Sequence, residues 1–474
     1  MSETPASADH VGDIAIVLHS HMPYVEGFGT YPFGEEWLFD AVVRSHLPVL
    51  ERARDVTLSI TPVLADQLEA PGVAERLVEF ARVYRLGSAQ ADVHDVEPAL
   101  RDACEAEAER YRRAVEALEA TGGRVLETFA GAAASGRVEI LTSTATHAVL
   151  PLVATREGRM LQLDAGLRSH RRRFGVPRGV WLPECAYSPG LEHLLSELGF
   201  EHFCVDQSAH EPDGAALRPI ATGGPVAFPI DWPTVERVWS LTGYPSASGY
   251  ADFHRKSLRG TRPWAIDGSP YRPEAAAELA REQGRDFARA VAERLRRHRA
   301  ERGSRGLLVF AIDTELLGHW WWEGPEWFGA ALEALPVAGV RPLKLSVALE
   351  EHPAERRPLA TSSWGEGKDL RTWDSPSVAD LTWTARSLEL RVLREVAAGR
   401  LRGRALMRAA RELLAIQSSD WAFLDYRRQA GDYPFRRMLD HSRALFESID
   451  SGEEAEPGMR SLAPDLSPAP LLEP

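Results

Sequence analysis

Short apolar segments of this chain alternate with long segments rich in Ala, Glu and Arg, and this alternation restricts the possible folds most. Helices are predicted over residues 103–120 and 274–302, with two more between 378 and 416. Because strands separated by helices pair in parallel and need cover on both faces, the sequence predicts an α/β fold, either a barrel or a doubly wound sheet. The predicted strands are residues 13–18, 56–60, 138–141, 179–182, 203–205 and 307–312.

Reactive side chains follow directly after four of these strands. His19 and His21 follow the first strand, His147 the third, Glu184 the fourth and Asp313 the last. In a β/α barrel the active site forms at the C-terminal ends of many strands around one mouth, whereas an open sheet often carries a glycine-rich phosphate loop. The chain contains neither a G-x-G-x-x-G sequence nor a Walker sequence. The pattern therefore favours a barrel.

The last predicted strand is followed by carboxylates and then by indoles. Asp313 and Glu315 come first, and Trp320, Trp321 and Trp322 follow as adjacent residues. Three adjacent indoles cannot all face one core, which favours a functional role over simple packing. Carboxyl groups can protonate a glycosidic oxygen or help to break its bond, and indole faces stack on sugar rings. The segment therefore indicates a carbohydrate enzyme, and the alternative is that the acids cap a helix.

Two carboxylates have the placement that glycoside chemistry with retention needs. Such chemistry uses a nucleophile and an acid/base about 5–5.5 Å apart. Glu184 follows an apolar strand and a proline, and Asp313 has the same placement on another strand. Glu315 lies two residues further on and could compete with Asp313 for the acid role. A helix-capping role is the alternative for Glu184.

His19 and His21 are spaced i, i+2, so in an extended chain both side chains point to one face. They could hold sugar hydroxyls, or they could ligate a metal with an aspartate in a deacetylase-like barrel, or they could belong to the core. His147 and His319 add polar groups that could tune the nearby acids.

The composition restricts partners and location. The formal net charge is −14, from 69 acidic and 55 basic residues, which argues against binding to nucleic acid. No segment approaches the roughly 20 apolar residues that a membrane helix requires. Residues 1–12 lack the features of a signal peptide, and three cysteines without close pairing suit a reducing compartment. We expect a cytoplasmic protein that binds neither nucleic acid nor membrane.

Composition also divides the chain into parts. We expect a flexible N-terminus over residues 1–12 and a catalytic barrel over 13–353, with an insertion at about 234–273. Residues 354–450 are expected to form a site-lining loop and a helical C-terminal domain. Residues 451–474 are acidic and proline-rich, which predicts a disordered tail.

Five segments, in order along the chain, resemble the motifs of glycoside hydrolase family 57, and most of all those of its 1,4-α-glucan branching enzymes. The resemblance extends from about residue 13 to 450. It implies a (β/α)7 barrel with a helical C-terminal domain, a retaining mechanism, an α-glucan substrate and no cofactor. The matching segments are residues 19–25, 138–151, 181–187, 313–321 and 419–421.

Position within these motifs implies residue roles. Glu184 resembles the nucleophile and Asp313 the acid/base of the family. The residues that match sugar-holding histidines are His19, His21 and His147. Further motif residues for which the resemblance predicts substrate contacts are Trp181, His319, Trp320, Trp364, Asp420 and Trp421.

One part of the chain departs from the branching enzymes. Tyr250 resembles a tyrosine on a mobile loop that is linked to branching over hydrolysis, but the segment at 255–271 is shorter than the lid of the family's branching enzymes. The balance between transfer and hydrolysis therefore stays open. An α-amylase or a 4-α-glucanotransferase of the same family is the first alternative. A metal-dependent polysaccharide deacetylase that uses His19, His21 and Asp313 is a second, and a non-catalytic glucan-binding protein a third.

Overall fold

The computed structural model describes residues 10–29, 33–209, 217–451 and 460–472. All six predicted strands are confirmed within it. The strands are β1 Gly12–Ser20, β2 Val56–Ile60, β3 Val138–Leu141, β4 Gly179–Val180, β5 His202–Val205, β6 Ile220–Ala221, β7 Val226–Pro229, β8 Gly306–Asp313, β9 Val340–Leu343 and β10 Glu355–Arg356.

The predicted helices are confirmed as well. Two π-helical segments, Val42–His46 and Phe80–Leu86, each join two successive α-helices. In the described part of the chain, no helix has both the length and the apolar character that crossing a membrane would require. The α-helices are α1 Glu35–Ala41, α2 Leu47–Arg52, α3 Pro62–Leu68, α4 Val73–Glu79, α5 Gly87–Asp95, α6 Arg101–Ala120, α7 Val125–Ala134, α8 Arg156–Phe174, α9 Leu191–Glu197, α10 Trp232–Trp239, α11 Pro273–Arg302, α12 Gly324–Val337, α13 Leu345–Glu351, α14 Ala379–Ala397, α15 Gly403–Ile416, α16 Ser419–Tyr426, α17 Tyr433–Ser451 and α18 Ala469–Leu472.

The strands form two sheets that meet at two seams. One sheet has the order β3-β2-β1-β8, with β9 beside the first half of β1, and the other has the order β10-β6-β7-β5-β4. A parallel bridge between Thr142 and Val180 joins β3 to β4, and the Asp231 N–H donates to the Val309 carbonyl between β7 and β8. Seven parallel strands thus follow one another, which confirms the α/β class and is consistent with the predicted barrel.

The longest ladder determines which side chains meet at the mouth. β1 and β8 pair in parallel over eight positions, from Gly12 opposite Gly306 to His19 opposite Asp313. A Cβ atom at Gly12 would lie 2.8 Å from the Leu295 side chain and 3.0 Å from the Gly306 carbonyl oxygen, so glycine allows close packing of this strand start against α11 and β8. The register therefore places His19 directly beside Asp313 at the C-terminal ends of the two strands.

The core of the helical C-terminal domain includes barrel residues such as Tyr24, Val63 and Ala145, so the domain is bound firmly to the barrel. The Glu389 carboxylate, which is buried on α14, accepts hydrogen bonds from the Ala154 and Thr155 N–H groups before α8 and from the Gln417 side chain. The domain therefore carries α16, which begins two residues after Gln417, to a defined place against the barrel. The buried residues of its core include Leu406, Leu413, Leu414, Trp421, Tyr433 and Leu445.

The prediction of a disordered tail is wrong for residues 460–472. The Leu462 side chain is buried, the Ala463 N–H donates to Asp66 Oδ2 at 2.7 Å, and Arg172 Nε donates to Asp465 Oδ2 at 2.7 Å. Composition misses these contacts because a few apolar side chains with specific partners suffice to order a short segment. Residues 452–459 and 473–474 of the predicted tail, and 1–9 of the predicted flexible N-terminus, lie outside the described residues, and β1 already begins at Gly12.

The packing of this segment predicts a measurable loss of stability. Leu462→Ala should lower the free energy of unfolding by about 2–5 kcal/mol, because a fully buried leucine loses its contacts and leaves a cavity. Leu472→Ala is the matched control, since Leu472 is 55% exposed and its truncation should change stability by less than about 0.5 kcal/mol. Urea unfolding of both variants checks this, and equal midpoints would contradict the packing described.

Candidate active site

Two histidines, one in β1 and one directly after it, are oriented by hydroxyl groups in and after β2. The parallel register pairs His19 with Ser59, and the next inward position places His21 beside Thr61. The Nδ1 atom of His19 lies 3.0 Å from Ser59 Oγ, and that of His21 lies 3.0 Å from Thr61 Oγ1. The two rings stack with centroids 6.1 Å apart, which confirms that they share a face. One nitrogen of each ring is thus held, and the other is directed away from β2.

His147 joins these rings to form a continuous stack with Trp181. Its ring centroid lies 4.0 Å from that of His21 and 5.0 Å from that of His19, and Trp181 lies 4.7 Å from His19 on the other side. Burial, together with the neighbouring His21, lowers the pKa of His19 and that of His147 well below the usual range. Both rings are therefore neutral, and each offers one donor and one acceptor nitrogen.

A hydrogen-bond chain runs through the neutral rings to the C-terminal domain. The Nε2 atoms of His19 and His147 are 3.0 Å apart, and His147 Nδ1 lies 2.8 Å from Ser419 Oγ. His147 has a φ of 59°, a conformation that costs a non-glycine residue about 1–3 kcal/mol and that often occurs at functional sites. The ring orientation is therefore maintained by contacts from both domains.

Helix α16 contributes a carboxylate to the same place. Asp420 Oδ1 lies 2.9 Å from His21 Nε2, and its Oδ2 accepts a hydrogen bond of 2.6 Å from the Ser418 hydroxyl. Since Ser418 also caps the helix, the first turn of α16 is fixed against the barrel. The site is therefore completed by the C-terminal domain.

Glu184 lies in a strained turn after β4. Its φ is 58° and that of Cys185 is 47°, and the Trp364 N–H holds the Glu184 carbonyl at 2.7 Å. The side chain is half-buried. Burial raises the pKa of Glu184 well above its usual range, and the charges of Asp313 and Asp420 raise it further. The turn thus brings a carboxylate from β4 close to those from β8 and α16.

Asp313 ends β8 and is half-buried. Burial raises the pKa of Asp313 to about 7, the charge of Glu315 raises it too, and that of His21 opposes the rise. Near neutral pH this carboxyl group therefore exchanges a proton readily, as a general acid must.

Glu315 does not compete for that role. It is buried, and its Oε1 accepts hydrogen bonds from His46 Nε2 at 2.6 Å and from the His21 N–H at 3.1 Å. His46 ends the π-helical turn Val42–His46, a type of distortion that often occurs at functional sites. The charge of Glu315 thus raises the pKa of Asp313, and its hydrogen bond from the His21 N–H helps to position His21.

Three predicted aromatic residues lie at this site but at different depths. Trp364 is half-buried and meets Trp181 edge to face at 5.1 Å. Trp181 is fully buried beneath His19, so it supports that ring and is covered from solvent. Trp320 is 40% exposed at the rim, whereas Trp321 and Trp322 are buried, so only one of the three adjacent indoles is free for a ligand.

Three other predicted substrate contacts are corrected by the structure. Tyr250 is fully buried and donates to Gln283 Oε1 at 2.6 Å. Trp421 is buried in the C-terminal core, where its Nε1 donates to the Ala415 carbonyl. His319 is nine-tenths buried, and burial lowers its pKa to about 3. Proximity to a motif in the chain does not determine which face of the backbone a side chain occupies.

The sequence interpretation missed the hydroxyl groups that orient the histidines. Ser59 and Thr61 repeat at i, i+2 in and after β2, as His19 and His21 do in and after β1, and this shared period was a usable signal. Ser419 carried no such signal, because its partner His147 lies in another domain. Trp239, which lies 6.3 Å from Trp320, was missed as well.

The arrangement of the histidines bears on metal binding. Side-chain ligand atoms of His21, His147 and Asp420 all lie within 4.8 Å of one another. However, the rings of His21 and His147 are stacked at 17° from parallel, so the nitrogen lone pairs of the two rings lie in nearly parallel planes. Two imidazoles that share a metal ion must instead direct their lone pairs to one point. The stack suits the hydroxyl groups of a sugar better than a cation.

Comparisons with known proteins agree with this geometry. Residues 15–230 match the sequence model of glycosyl hydrolase family 57, and residues 381–462 match that of the C-terminal region of 1,4-alpha-glucan branching enzymes. The 1,4-alpha-glucan branching enzyme of Thermococcus kodakarensis is 33% identical, over 91% of this chain and 72% of that protein.

Solved structures show the same likeness. The crystal structure of a branching enzyme of this type from Pyrococcus horikoshii is 30% identical, with a TM-score of 0.89 over 98% of this chain and 97% of its own. An α-amylase from Thermotoga maritima is 25% identical, with a TM-score of 0.84 over 93% of each chain. The likeness thus covers both domains.

Proposed function

Since this chain belongs to glycoside hydrolase family 57, we propose that it acts as a branching enzyme, which cleaves an α-1,4 bond of a glucan and transfers the released chain to a 6-hydroxyl. The observation that carries the proposal is the pair of half-buried carboxylates Glu184 and Asp313, each at the end of a strand, with the charge of Asp313 acting on Glu184. The match of residues 381–462 to branching enzymes supports transfer over hydrolysis.

The first step of the proposed reaction forms a covalent intermediate. A carboxylate oxygen of Glu184 attacks the anomeric carbon, the bond from that carbon to the glycosidic oxygen breaks, and the Asp313 carboxyl group donates its proton to the leaving oxygen. The glucan chain on the acceptor side leaves with a free 4-hydroxyl. The donor chain remains bound to Glu184 as a glycosyl ester.

The second step reverses the roles. The Asp313 carboxylate accepts the proton of an acceptor 6-hydroxyl, whose oxygen attacks the anomeric carbon and displaces Glu184. Two displacements retain the α configuration, and the product is an α-1,6 branch. If water replaces the acceptor, the product is a shorter chain.

Burial raises the pKa of both carboxyl groups, so the pair retains the proton that this reaction needs. Two carboxylates that share a poorly hydrated site do not readily ionise together, so the pair keeps one proton near neutral pH. The reaction uses the form in which Asp313 carries the proton. The anomeric carbon becomes positively charged in the transition state and lies close to Glu184. This charge favours the form in which Glu184 is ionised and Asp313 carries the proton.

The stacked histidines and Asp420 are proposed to bind the sugar at the cleavage point. His19 and His147 are neutral, and the side chains of His21 and Asp420 are partly exposed. Sugar hydroxyls can donate to Asp420, and they can bond to imidazole nitrogens by replacing the contacts between the rings. Trp364 offers an aromatic surface beside them.

The substrate is proposed to be an amylose-like or glycogen-like α-glucan, and the location the cytoplasm. The three cysteines are buried and free, which agrees with a reducing compartment.

Incubation with amylose followed by linkage analysis tests the function. New α-1,6 linkages are expected, whereas new reducing ends alone would indicate an α-amylase, and redistributed α-1,4 chains a 4-α-glucanotransferase.

The raised pKa of Asp313 predicts the pH dependence of the reaction. Asp313 must be protonated for the first step, so kcat/KM should fall as the pH rises through about 7. Glu315→Gln removes a charge that raises this pKa, and the alkaline limb of the profile should therefore move to lower pH. Glu326→Gln, which removes a carboxylate whose charge is not among those acting on Asp313, is the control. An unmoved limb in Glu315→Gln would contradict the assignment of this limb to Asp313.

A further inference from the structure

Two exposed indoles meet where the loop after β8 lies beside the end of α10. Trp239 is 46% exposed and Trp320 is 40% exposed, and their rings lie 6.3 Å apart at an angle of 72°. Leu241, two residues beyond Trp239, is 96% exposed. Single exposed apolar side chains are common, whereas contiguous exposed apolar surface is typical of interaction sites.

We propose that Trp239 and Trp320 bind the acceptor glucan chain, outside the cavity that holds the donor. This inference rests on the proposed function and deepens it, because it names the place of the second substrate. The pair is called the acceptor corner below.

The acceptor corner lies on the side of the mouth where the acid/base ends its strand. Trp320 belongs to the loop that follows Asp313, and its N–H donates to the Glu315 carbonyl at 3.2 Å. Trp239 ends α10, which follows β7, the strand that lies next to β8 at one seam. An acceptor 6-hydroxyl must reach Asp313 in the second step, and a chain bound at this corner approaches from that side.

The loop that carries Trp320 is held rigidly. Arg262 Nη2 donates to the His319 carbonyl at 3.0 Å, and Arg110 Nη1 donates to the Trp322 carbonyl at 2.5 Å. Gly318 has a φ of 104°, and a Cβ atom there would lie 2.0 Å from the Arg44 carbonyl oxygen. The backbone on both sides of Trp320 is therefore fixed, and the indole is presented outward without the cost of ordering a mobile loop.

The segment at 251–271 leaves the acceptor corner open. The Asp92 carboxylate on α5 accepts hydrogen bonds from Ser257 and Thr261, and the Arg262 N–H donates to Glu107 on α6. Since these contacts fasten the segment against α5 and α6, it does not cover Trp239. The Trp239 indole therefore remains accessible.

The geometry of the pair suits a sugar chain. Two indoles at 72° form an open corner, in which the apolar face of one glucose unit can stack on one ring while its edge contacts the other. Stacking on aromatic faces recognises the neutral pyranose ring and leaves its hydroxyls in water. This matches an acceptor whose 6-hydroxyl must stay free to react.

Competition between acceptor and water tests the inference. Trp239→Ala and Trp320→Ala should each raise, by about tenfold, the acceptor concentration at which branches per new reducing end reach half their maximum. Trp239→Tyr should restore much of this loss, because a phenol ring still stacks. Trp383→Ala is the matched control, since Trp383 is 59% exposed but lies on α14 of the C-terminal domain. An unchanged half-maximal acceptor concentration in both alanine variants, or an equal rise in Trp383→Ala, would overturn the inference.

A binding experiment separates this inference from the proposed reaction. Maltohexaose is titrated into the Glu184→Gln variant and into its Trp239→Ala derivative, and tryptophan fluorescence is recorded. If the acceptor corner binds glucan, Glu184→Gln should show a binding phase that its Trp239→Ala derivative loses and that a Trp383→Ala derivative of Glu184→Gln retains. If the wild-type protein made only reducing ends, branching would be rejected while this titration still decided whether the corner binds glucan. Equal titration curves for all variants would reject the corner itself.

Discussion

Glu184→Gln should lower turnover of amylose by at least about 10⁴-fold while the protein still binds glucan, because an amide cannot attack the anomeric carbon. The amide has nearly the shape of the carboxyl group, and the strained turn at Glu184 is held through backbone contacts that the change leaves in place. Glu201→Gln, which removes an exposed carboxylate paired with Arg178, is the control and should keep full activity. Turnover of Glu184→Gln within tenfold of the wild type would reject Glu184 as the nucleophile.

Chemical rescue identifies the role of Glu184 independently of the size of the loss. In Glu184→Ala the space of the carboxylate is open to azide, and α-glucosyl fluoride supplies a leaving group that needs no proton. Azide should then attack from the side that Glu184 occupied and give the β-glucosyl azide. Formation of the α product instead would show that a carboxylate nucleophile still acts, and would assign that role to another residue.

Asp313→Asn should lower the rate on amylose by about 10²–10⁴-fold, because the leaving glucan oxygen receives no proton. The rate of the first step with α-glucosyl fluoride should fall far less, since fluoride leaves without a proton. Such a difference between the losses on amylose and on α-glucosyl fluoride is specific to removal of the acid/base, because a structural defect would lower both rates together. Equal losses on the two substrates would contradict the assignment.

The fold of the Asp313→Asn variant can be checked through its stability. Burial raises the pKa of Asp313 to about 7, above that of an exposed carboxyl group. A carboxyl group with a raised pKa loses stabilising free energy as the pH rises from its unfolded pKa through its folded pKa. At pH 8 the wild-type site is ionised and the asparagine is not. We therefore expect the Tm of Asp313→Asn at pH 8 to equal or exceed that of the wild type.

Local patterns predicted the positions of the central residues well. The apolar segment at 307–312 and the carboxylate after it became β8 and its terminal Asp313. The i, i+2 spacing of His19 and His21 predicted a shared face, because alternation along an extended chain is a property of the backbone. The same reasoning predicted that the strands would be parallel, since helices separate them.

Local patterns failed where burial decides the role. Trp421 and Tyr250 resemble ligand-binding aromatics, yet both are fully packed in cores. Trp239 had no motif around it and is exposed at the rim. An aromatic side chain has the same composition signal in a core and at a binding surface, so only its neighbours in space distinguish the two.

The sequence by itself determined the α/β class, six of the ten strands that the structure describes and the reactive residues at the strand ends, since these follow from the period and length of apolar segments. Tertiary structure decided which reactive groups meet. His21 and Asp420 lie 399 positions apart and form a 2.9 Å contact, and Glu315 is bound by His46 while Asp313 remains available. Such contacts arise when distant segments of the chain pack together, and that packing minimises the free energy of the whole chain. No local segment carries that information, because each partner is defined only by the other.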